Sequence, residues 1–529
     1  MNTDPRSVAG KRLEVSERTQ ILVVGAGPAG IAAARRAQAG GARTLLVDEH
    51  PVPFETMAES VPQLWGGRMG AEVRNRNTMT AHMLESRPEL AELFEIGVDV
   101  RIGTACWGLF ANQANLGWMP GHVAALLDQE QGSHLIGFDQ AIVATGRRDM
   151  GLAFPGWDLP GVLGAAAAVT LARLYGALES RRAVVLGSTA EALYSALDLA
   201  DAGVEIVAVV EQADRAAAPD ELVELVRGAG IDILTGQAPR AAISDGDGVT
   251  GLKLRDQTIA CDSVILAVGA VPVIDLMQAA GARCVFDGAR GGFVPALGAD
   301  AETSLAGIRA AGDCSGIWAE KSGDPEIASA EGELAAEAAL AACGHGTAKA
   351  ATSVQAVRNA PVDLGEYRKA WVRAAVVDAI SEMPLCQCEE VTAREILDVS
   401  SPRYLDAPPK ANRYRKLSEI LGDGPPHPDQ IKRLTRAGMG PCQGRRCREQ
   451  IQALLALQED LSLGTVPLAG YRAPVRPMSL AESAMPEDPA IAEQWDSWFG
   501  MPRQWVPFWD VEDAYTVAAL QTEKEHVSE

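Results

Sequence analysis

Four of the nine cysteines are grouped, and their spacing is that of a ligand set. Cys386 and Cys388 stand in Leu385-Cys-Gln-Cys-Glu-Glu-Val-Thr392, and Cys442 and Cys447 in Gly438-Met-Gly-Pro-Cys-Gln-Gly-Arg-Arg-Cys447. A C-x-C pair with a C-x4-C pair supplies four thiolates, which suits tetrahedral zinc or a [2Fe–2S] cluster. The spacing favours iron–sulfur, because structural zinc usually sits in C-x2-C knuckles. Gly438, Gly440 and Gly444 would let backbone N–H groups reach the sulfurs and tune the potential of such a cluster. The nearest histidine, His427, belongs to neither motif, so mixed histidine–cysteine ligation is not expected. The other five cysteines (Cys106, Cys261, Cys284, Cys314, Cys343) are scattered and read as core residues.

A second constellation suits a dinucleotide. The apolar run Ile21 to Val24 reads as a buried parallel strand and feeds into Gly25-Ala-Gly27-Pro28-Ala29-Gly30. An Ala-rich helix follows to about Ala39, and a second strand, Thr44 to Val47, ends at Asp48-Glu49. Gly25 permits the tight turn, Gly27 lets backbone approach a pyrophosphate, and Gly30 allows close helix–strand packing. The helix N-terminus offers N–H groups to the anion. Asp48 is placed to accept from a ribose hydroxyl. A lone G-x-G-x-x-G is weak evidence in a chain with 52 glycines. The full strand–glycines–helix–strand–acid unit is strong, and the plain alternative is a βαβ turn without a ligand.

The elements that must position these residues follow from periodicity and punctuation. Thr80 to Ile96 reads as helical, interrupted or restarted at Pro88, while Cys106–Phe110 and His122–Leu127 look like a hairpin. Gln140–Ala144 is a strand that returns the chain under the cofactor at Thr145-Gly146. The Pro/Gly cluster from Phe154 to Gly161 reads as a crossing between domains. Gly161–Leu178, Ala-rich and carrying Arg173, reads as a buried helix. A second βαβ unit starts at Arg182, but Gly187-Ser-Thr189-Ala-Glu191-Ala192 keeps only the turn glycine, so pyridine-nucleotide binding there looks impaired. Ser263–Val268 marks the return to the first domain. Gly312-Asp313 then precedes a long helix, about Glu326–Ala342, and is a second mark of FAD binding, with the Asp carboxylate facing a ribitol hydroxyl. A further helix, Leu364–Ile380, leads into the cysteine motifs. Four of the six aromatics at Trp495–Trp509 are tryptophan, so this tail either folds back or docks a partner.

With 529 residues the chain should hold two to four domains. A net charge of −23 argues against nucleic-acid binding and against an anionic membrane surface. No stretch reads as a membrane span, and the first nineteen residues lack an export signal, so a reducing cytoplasmic setting with free thiols is expected.

Residues 20–345 resemble the two-dinucleotide-binding-domain flavoproteins, the glutathione reductase-like α/β fold, without the C-x4-C or C-x2-C of their disulfide reductases. The "CxCEEVT" and "GMGxCQGRxC" segments resemble the BFD-like [2Fe–2S] domain, with a longer gap between the pairs, Ser401–Gln430. In that order, over about residues 20–480, the features resemble the α (A) subunits of heteromeric FAD-dependent amine or imino-acid dehydrogenases, of the opine oxidase, hydroxyproline dehydrogenase and hydrogen cyanide synthase B type. The resemblance implies a discontinuous FAD domain (19–155 and 270–348), a degenerate nucleotide-binding domain (156–269), a mostly helical [2Fe–2S] domain (381–460) and a tail (461–529). Its site residues would be Gly25, Gly27, Pro28, Ala29, Gly30, Asp48, Glu49, Thr145, Gly146, Gly312 and Asp313 for FAD, or for another adenine nucleotide, and Cys386, Cys388, Cys442 and Cys447 for the cluster. It also implies a β subunit with a D-amino-acid-oxidase-like FAD fold that oxidises the amine or imino acid, a third small chain, and FMN at a subunit interface in some members. No acid/base pair or nucleophile–histidine arrangement in this chain earns a catalytic assignment. The alternatives are a self-sufficient NAD(P)H-dependent reductase and a non-redox scaffold.

Overall fold

Ile21, Leu22 and Val23 are wholly buried, as an unbroken apolar run requires of a strand covered on both faces. The computed structural model describes residues 15, 17–53, 66–111, 121–346, 362–378, 383–401 and 415–478. The tryptophan-rich tail and residues 402–414 of the long gap lie outside the described residues. Strand β1 (Glu17–Val24) runs through the glycine turn into α1 (Pro28–Ala39), and β2 (Thr44–Asp48) returns parallel to it. Next come β3 (Asp99–Ile102), the antiparallel pair β4 (Ala105–Phe110) and β5 (His122–Asp128), and β6 (Gly132–Val143). The sheet order is β3-β2-β1-β6-β5-β4. β6 pairs antiparallel with β5 along its first half and parallel with β1 along most of its length.

The chain then crosses out through β7 (Arg147–Asp149). A second, all-parallel sheet is built from β8 (Val162–Gly164), β9 (Arg182–Leu186), β10 (Glu205–Val210), β11 (Asp232–Leu234) and β12 (Ser263–Leu266), in the order β11-β10-β9-β12-β8. Helix α2 (Ala190–Asp201) links β9 to β10. The chain comes back through β13 (Ala270–Pro272), antiparallel to β7, and β14 (Ile308–Ala310) joins the first sheet beside β6. One expectation is met and one is corrected. The helices at 76–86 and 89–95 are separate, with Pro88 opening the second. Gly161–Leu178 is not one helix: Val162–Gly164 is an edge strand paired with Val264–Leu266, and only Ala165–Val169 and a π turn, Thr170–Leu174, are helical. The free edge of the second sheet satisfies the Val-Leu-Gly backbone before a helix can begin.

Helix α3 (Pro325–Ala342) packs on α1 so closely that a Cβ on Gly332 would overlap the Ala29 carbonyl. That explains a glycine inside an otherwise good helix former. Below the crossing, Lys321 is fully buried. Its Nζ donates to Glu331 Oε2 at 2.7 Å and to the carbonyls of Gly312 and Gly316 at 2.8 and 2.9 Å. Glu331 Oε2 also accepts from the Gly312 N–H at 2.8 Å. The pair therefore fixes the turn that carries Asp313. Truncating one member of a buried, hydrogen-bonded pair strands the other charge, so Lys321→Ala should cost about 3–5 kcal/mol. Chemical denaturation would read this, and a loss below about 1 kcal/mol would show that the turn does not depend on the pair.

After α3, α4 (Leu364–Val372) continues as a π turn over Arg373–Val377, which departs from the single regular helix expected there. The cysteine segments and α5 (Arg448–Gln458) share one hydrophobic cluster with α4 and with the inner face of the second sheet.

Candidate functional site

The three glycines of the first turn meet three different environments. Gly25 has φ +107°, and a Cβ there would overlap the Ala144 carbonyl. A Cβ on Gly30 would overlap the Gly25 carbonyl, whereas one on Gly27 would meet nothing within 4 Å. Only Gly27 faces open space, and that space is a cleft of 480 Å³. Gly25, Gly27, Asp48, Glu49, Thr145 and Gly146 all line it. Pro28, Ala29 and Gly30 form the first turn of α1 behind it.

Asp48 is buried. Its Oδ2 accepts from the Ala26 N–H at 2.5 Å and its Oδ1 from the His50 N–H at 2.8 Å. The carboxylate thus braces the glycine turn, and Glu49 is the more exposed strand-end carboxylate at the cleft, 3.6 Å from Arg476. Thr145 Oγ1 donates to the Val273 carbonyl at 2.8 Å and holds the strand-end turn open. Gly312 packs on the Ala29 side chain with φ +76°, and Asp313 pairs at 3.5 Å with Arg147, itself in the cleft wall.

The structure adds cleft residues that the sequence reading did not single out: Asp149, Asp275, Arg445 and Arg446. Burial pushes the Asp149 carboxyl up to about 6, against the Ala166 N–H and the arginines at 147, 446 and 148. Arg446 is brought down to about 10 by burial, with Cys442 and Asp149 opposing, and its guanidinium lies 5.0 Å from the Trp157 ring. The only sequence signal for these two arginines was their place between Cys442 and Cys447.

The four grouped cysteines come together. Cys388 Sγ is 3.4 Å from Cys442 Sγ, and Cys386 interacts with both Cys388 and Cys447. The Gly438 N–H donates to Cys386 Sγ at 3.3 Å, and the N–H groups of Gly444 and Arg446 point at Cys442. At Gly440 a Cβ would stand 2.5 Å from Cys388 Sγ, so only glycine lets the backbone come this close to the sulfur. Glu390, Arg436 and Gln443, all beside these motifs, hold positive φ without being glycine, a strain that clusters at functional sites. The hydrogen bond with Cys386, together with burial, pushes the Cys388 thiol up to about 11, against the lowering effect of its hydrogen bond with Cys442. Proximity to Cys388 and burial also raise Cys442. As thiols the four are in contact, and among the described residues no group of three or more His, Cys, Asp or Glu stands ready at metal-holding distances. The donor set, its burial and the inward N–H groups fit a cationic metal centre, which would relieve the mutual repulsion that raises these thiols.

In the second sheet the turn glycine is retained, since Gly187 has φ +106° and a Cβ would overlap the Ala267 carbonyl. Thr189 caps α2 through a hydrogen bond from the Ala192 N–H at 3.4 Å.

Residues 19–342 match the family model "Pyridine nucleotide-disulphide oxidoreductase". The chain belongs to that family. The opine oxidase A chain of Agrobacterium tumefaciens (strain Ach5) is 29% identical, over 89% of this chain and 92% of the relative. The sarcosine oxidase alpha chain of Rhizobium meliloti (strain 1021) is 26% identical, over 87% of this chain and 41% of the relative. The crystal structure of L-proline dehydrogenase from P. horikoshii superposes with a TM-score of 0.57 at 18% identity, covering 89% of this chain and 81% of that one, and shares the fold. This member of the family is an FAD-dependent oxidoreductase, with a two-dinucleotide-domain architecture. Among the described residues no helix is long and apolar enough to cross a membrane.

The cleft separates folding from binding at one residue. A Cβ on Gly27 meets no protein atom within 4 Å, so Gly27→Ala should keep a melting temperature near wild type while FAD affinity falls at least about tenfold, because the methyl group fills the space a pyrophosphate needs. Flavin fluorescence titration checks this, and unchanged affinity would remove the dinucleotide from this cleft.

Proposed function

We propose that this chain is the electron-transferring subunit of a heteromeric flavoenzyme that oxidises a secondary amine or an imino or amino acid, of the opine, proline or hydroxyproline kind. The observation that carries the proposal is a shared loop. Residues 442–447 contribute two cysteines to the thiol group, and Arg445 and Arg446 between them line the dinucleotide cleft. Groups bound at the cysteines and in the cleft would lie on two sides of one loop. The sequence likeness to the opine oxidase A chain, over almost the whole of both polypeptides, supports the same reading.

FAD in the cleft would supply two-electron acceptance with release of single electrons, and a [2Fe–2S] cluster at Cys386, Cys388, Cys442 and Cys447 would supply one-electron transfer to an acceptor. The chain's own residues do the rest. The Gly25–Gly30 turn and the N-terminus of α1 would hold the pyrophosphate, Asp48 and Glu49 would hold the ribose, and Thr145 and Gly146, with Asp313 behind Arg147, would hold the flavin side. Gly438 and Gly444 direct N–H groups at sulfur and would stabilise the thiolate charge of a bound cluster. The partner is a β subunit with a D-amino-acid-oxidase-like FAD fold, where the amine binds. Some members of the group this chain resembles add a third small chain and an FMN at the subunit interface, and both would fit this assembly. The four-domain partition at 19–155 with 270–348, 156–269, 381–460 and 461–529 belongs to the same reading.

Anaerobic co-purification with the chain's native partners should give two moles of iron and two of acid-labile sulfide per mole of this chain, together with a second flavoprotein. Cys442→Ser should abolish the electron paramagnetic resonance signal of the reduced cluster and slow substrate-driven reduction of an external acceptor at least about 100-fold, while FAD content holds, since a cluster with three thiolates is no longer retained. Zinc in place of iron, or an intact signal in the variant, would defeat the assignment.

A further inference from the structure

The two βαβ units can be compared residue by residue at their strand ends. In the first, the turn glycine donates Gly25 N–H to the Val47 carbonyl at 2.8 Å; in the second, Gly187 N–H donates to the Val210 carbonyl at 2.9 Å. That register makes Glu211 the counterpart of Asp48, and Ser188 the counterpart of Ala26. In the first unit the acid and the turn N–H bond directly, Asp48 Oδ2 to Ala26 N. In the second a foreign hydroxyl stands between them. Tyr367 of α4 accepts from the Ser188 N–H at 3.1 Å and donates to Glu211 Oε2 at 2.9 Å. Glu211 Oε2 takes a further hydrogen bond from Ser188 Oγ at 2.6 Å, and Oε1 accepts from the Ala213 N–H at 2.9 Å. Both Glu211 and Trp371, one turn beyond Tyr367, have no solvent exposure at all.

A hydroxyl held between a glycine-turn N–H and a strand-end carboxylate reproduces the contact that a nucleotide ribose makes in this type of fold. We infer that Tyr367 is an internal substitute for the nucleotide ribose, so that α4 permanently occupies the second dinucleotide seat and bars pyridine nucleotides from serving this protein as electron donors. Sequence degeneracy alone would weaken nucleotide binding; an occupying side chain excludes it, because binding must first expel a buried aromatic ring, strip the Ser188 N–H of its partner and remove one of the hydrogen bonds that Glu211 accepts. The neighbouring Arg368 fastens the same helix, donating to the carbonyls of Ala270 and Gly291 at 2.8 and 3.0 Å. The seat has thereby become the docking face for the segment that leads to the cysteine motifs, and Tyr367 decides donor specificity from outside the nucleotide fold. The exclusion is independent of the cluster and holds whether or not iron occupies the four cysteines.

The test uses the flavin-replete full-length protein, so that the first site is filled, and ADP-ribose as the probe, because it carries the ribose and pyrophosphate without redox chemistry. Calorimetry with the wild type should show no saturable binding up to millimolar ADP-ribose, and anaerobic mixing with NADH or NADPH should leave the flavin oxidised. Saturable binding or flavin bleaching in the wild type overturns the inference. Tyr367→Ala should open the seat and bind ADP-ribose at least tenfold more tightly than the wild type; a folded variant that still binds none assigns the closure to other residues and overturns it equally. Should Tyr367→Ala not fold, Tyr367→Phe keeps the ring and removes only the hydroxyl. Amide exchange at Ser188 should then rise at least tenfold over the wild type, and unchanged exchange refutes the contact.

Discussion

The cleft depends on backbone meeting backbone at distances that no side chain permits. Gly30 lies against the Gly25 carbonyl, Gly25 against Ala144, and Gly332 of α3 against Ala29. These contacts bring the N-terminus of α1, the end of β6 and the start of the long helix to one place. Each is a steric requirement rather than a source of attraction, and the attraction comes from the alanine-rich faces of α1 and α3, which pack at the close range that small residues allow. Asp48 completes the arrangement by tying the second strand to the turn itself. The open space at Gly27 is what remains when the other glycines have been used for packing.

Those glycines are also why this part of the fold was legible in the sequence. A residue needed for its lack of a side chain leaves a pattern that survives whatever lies around it, and the same holds for the unbroken apolar runs of β1, β9 and β12. The π turn after Val169 and the edge strand Val162–Gly164 were not legible, because both depend on the vacant side of β12 and on nothing local. Arg445 and Arg446 could be read as neighbours of cysteines but not as cleft residues, since their direction is set by how the loop from Cys442 to Cys447 lies on Gly151. Tyr367 was beyond reach altogether: its two partners, Ser188 and Glu211, precede it by more than 150 residues, and nothing in the sequence around it differs from an ordinary amphipathic helix.

Charge is distributed to suit this crowding. The protein carries a large net negative charge, yet Arg147, Arg148, Arg445, Arg446 and Arg476 surround the cleft. Such a local excess of cation in an acidic protein draws anionic ligands to one place and holds other acids away. Arg148 is paired with Glu449 at 2.8 Å and with the Tyr471 hydroxyl at 3.0 Å, so the helix after the cysteine loop is tied to the strand that leaves the cleft.

A further tie has a consequence for timing. Trp157, with no exposed surface, donates its indole N–H to the Pro384 carbonyl at 2.6 Å, two residues before the first grouped cysteine. With the arginine pair on the other side, the cysteine segment is pinned at both flanks to the body that carries the cleft. The separation between sulfur and cleft is then settled when the polypeptide folds and is not renewed by swinging at each turnover. Any charge passing from one to the other would cross a constant gap, at a pace governed by driving force and reorganisation and indifferent to the viscosity of the medium.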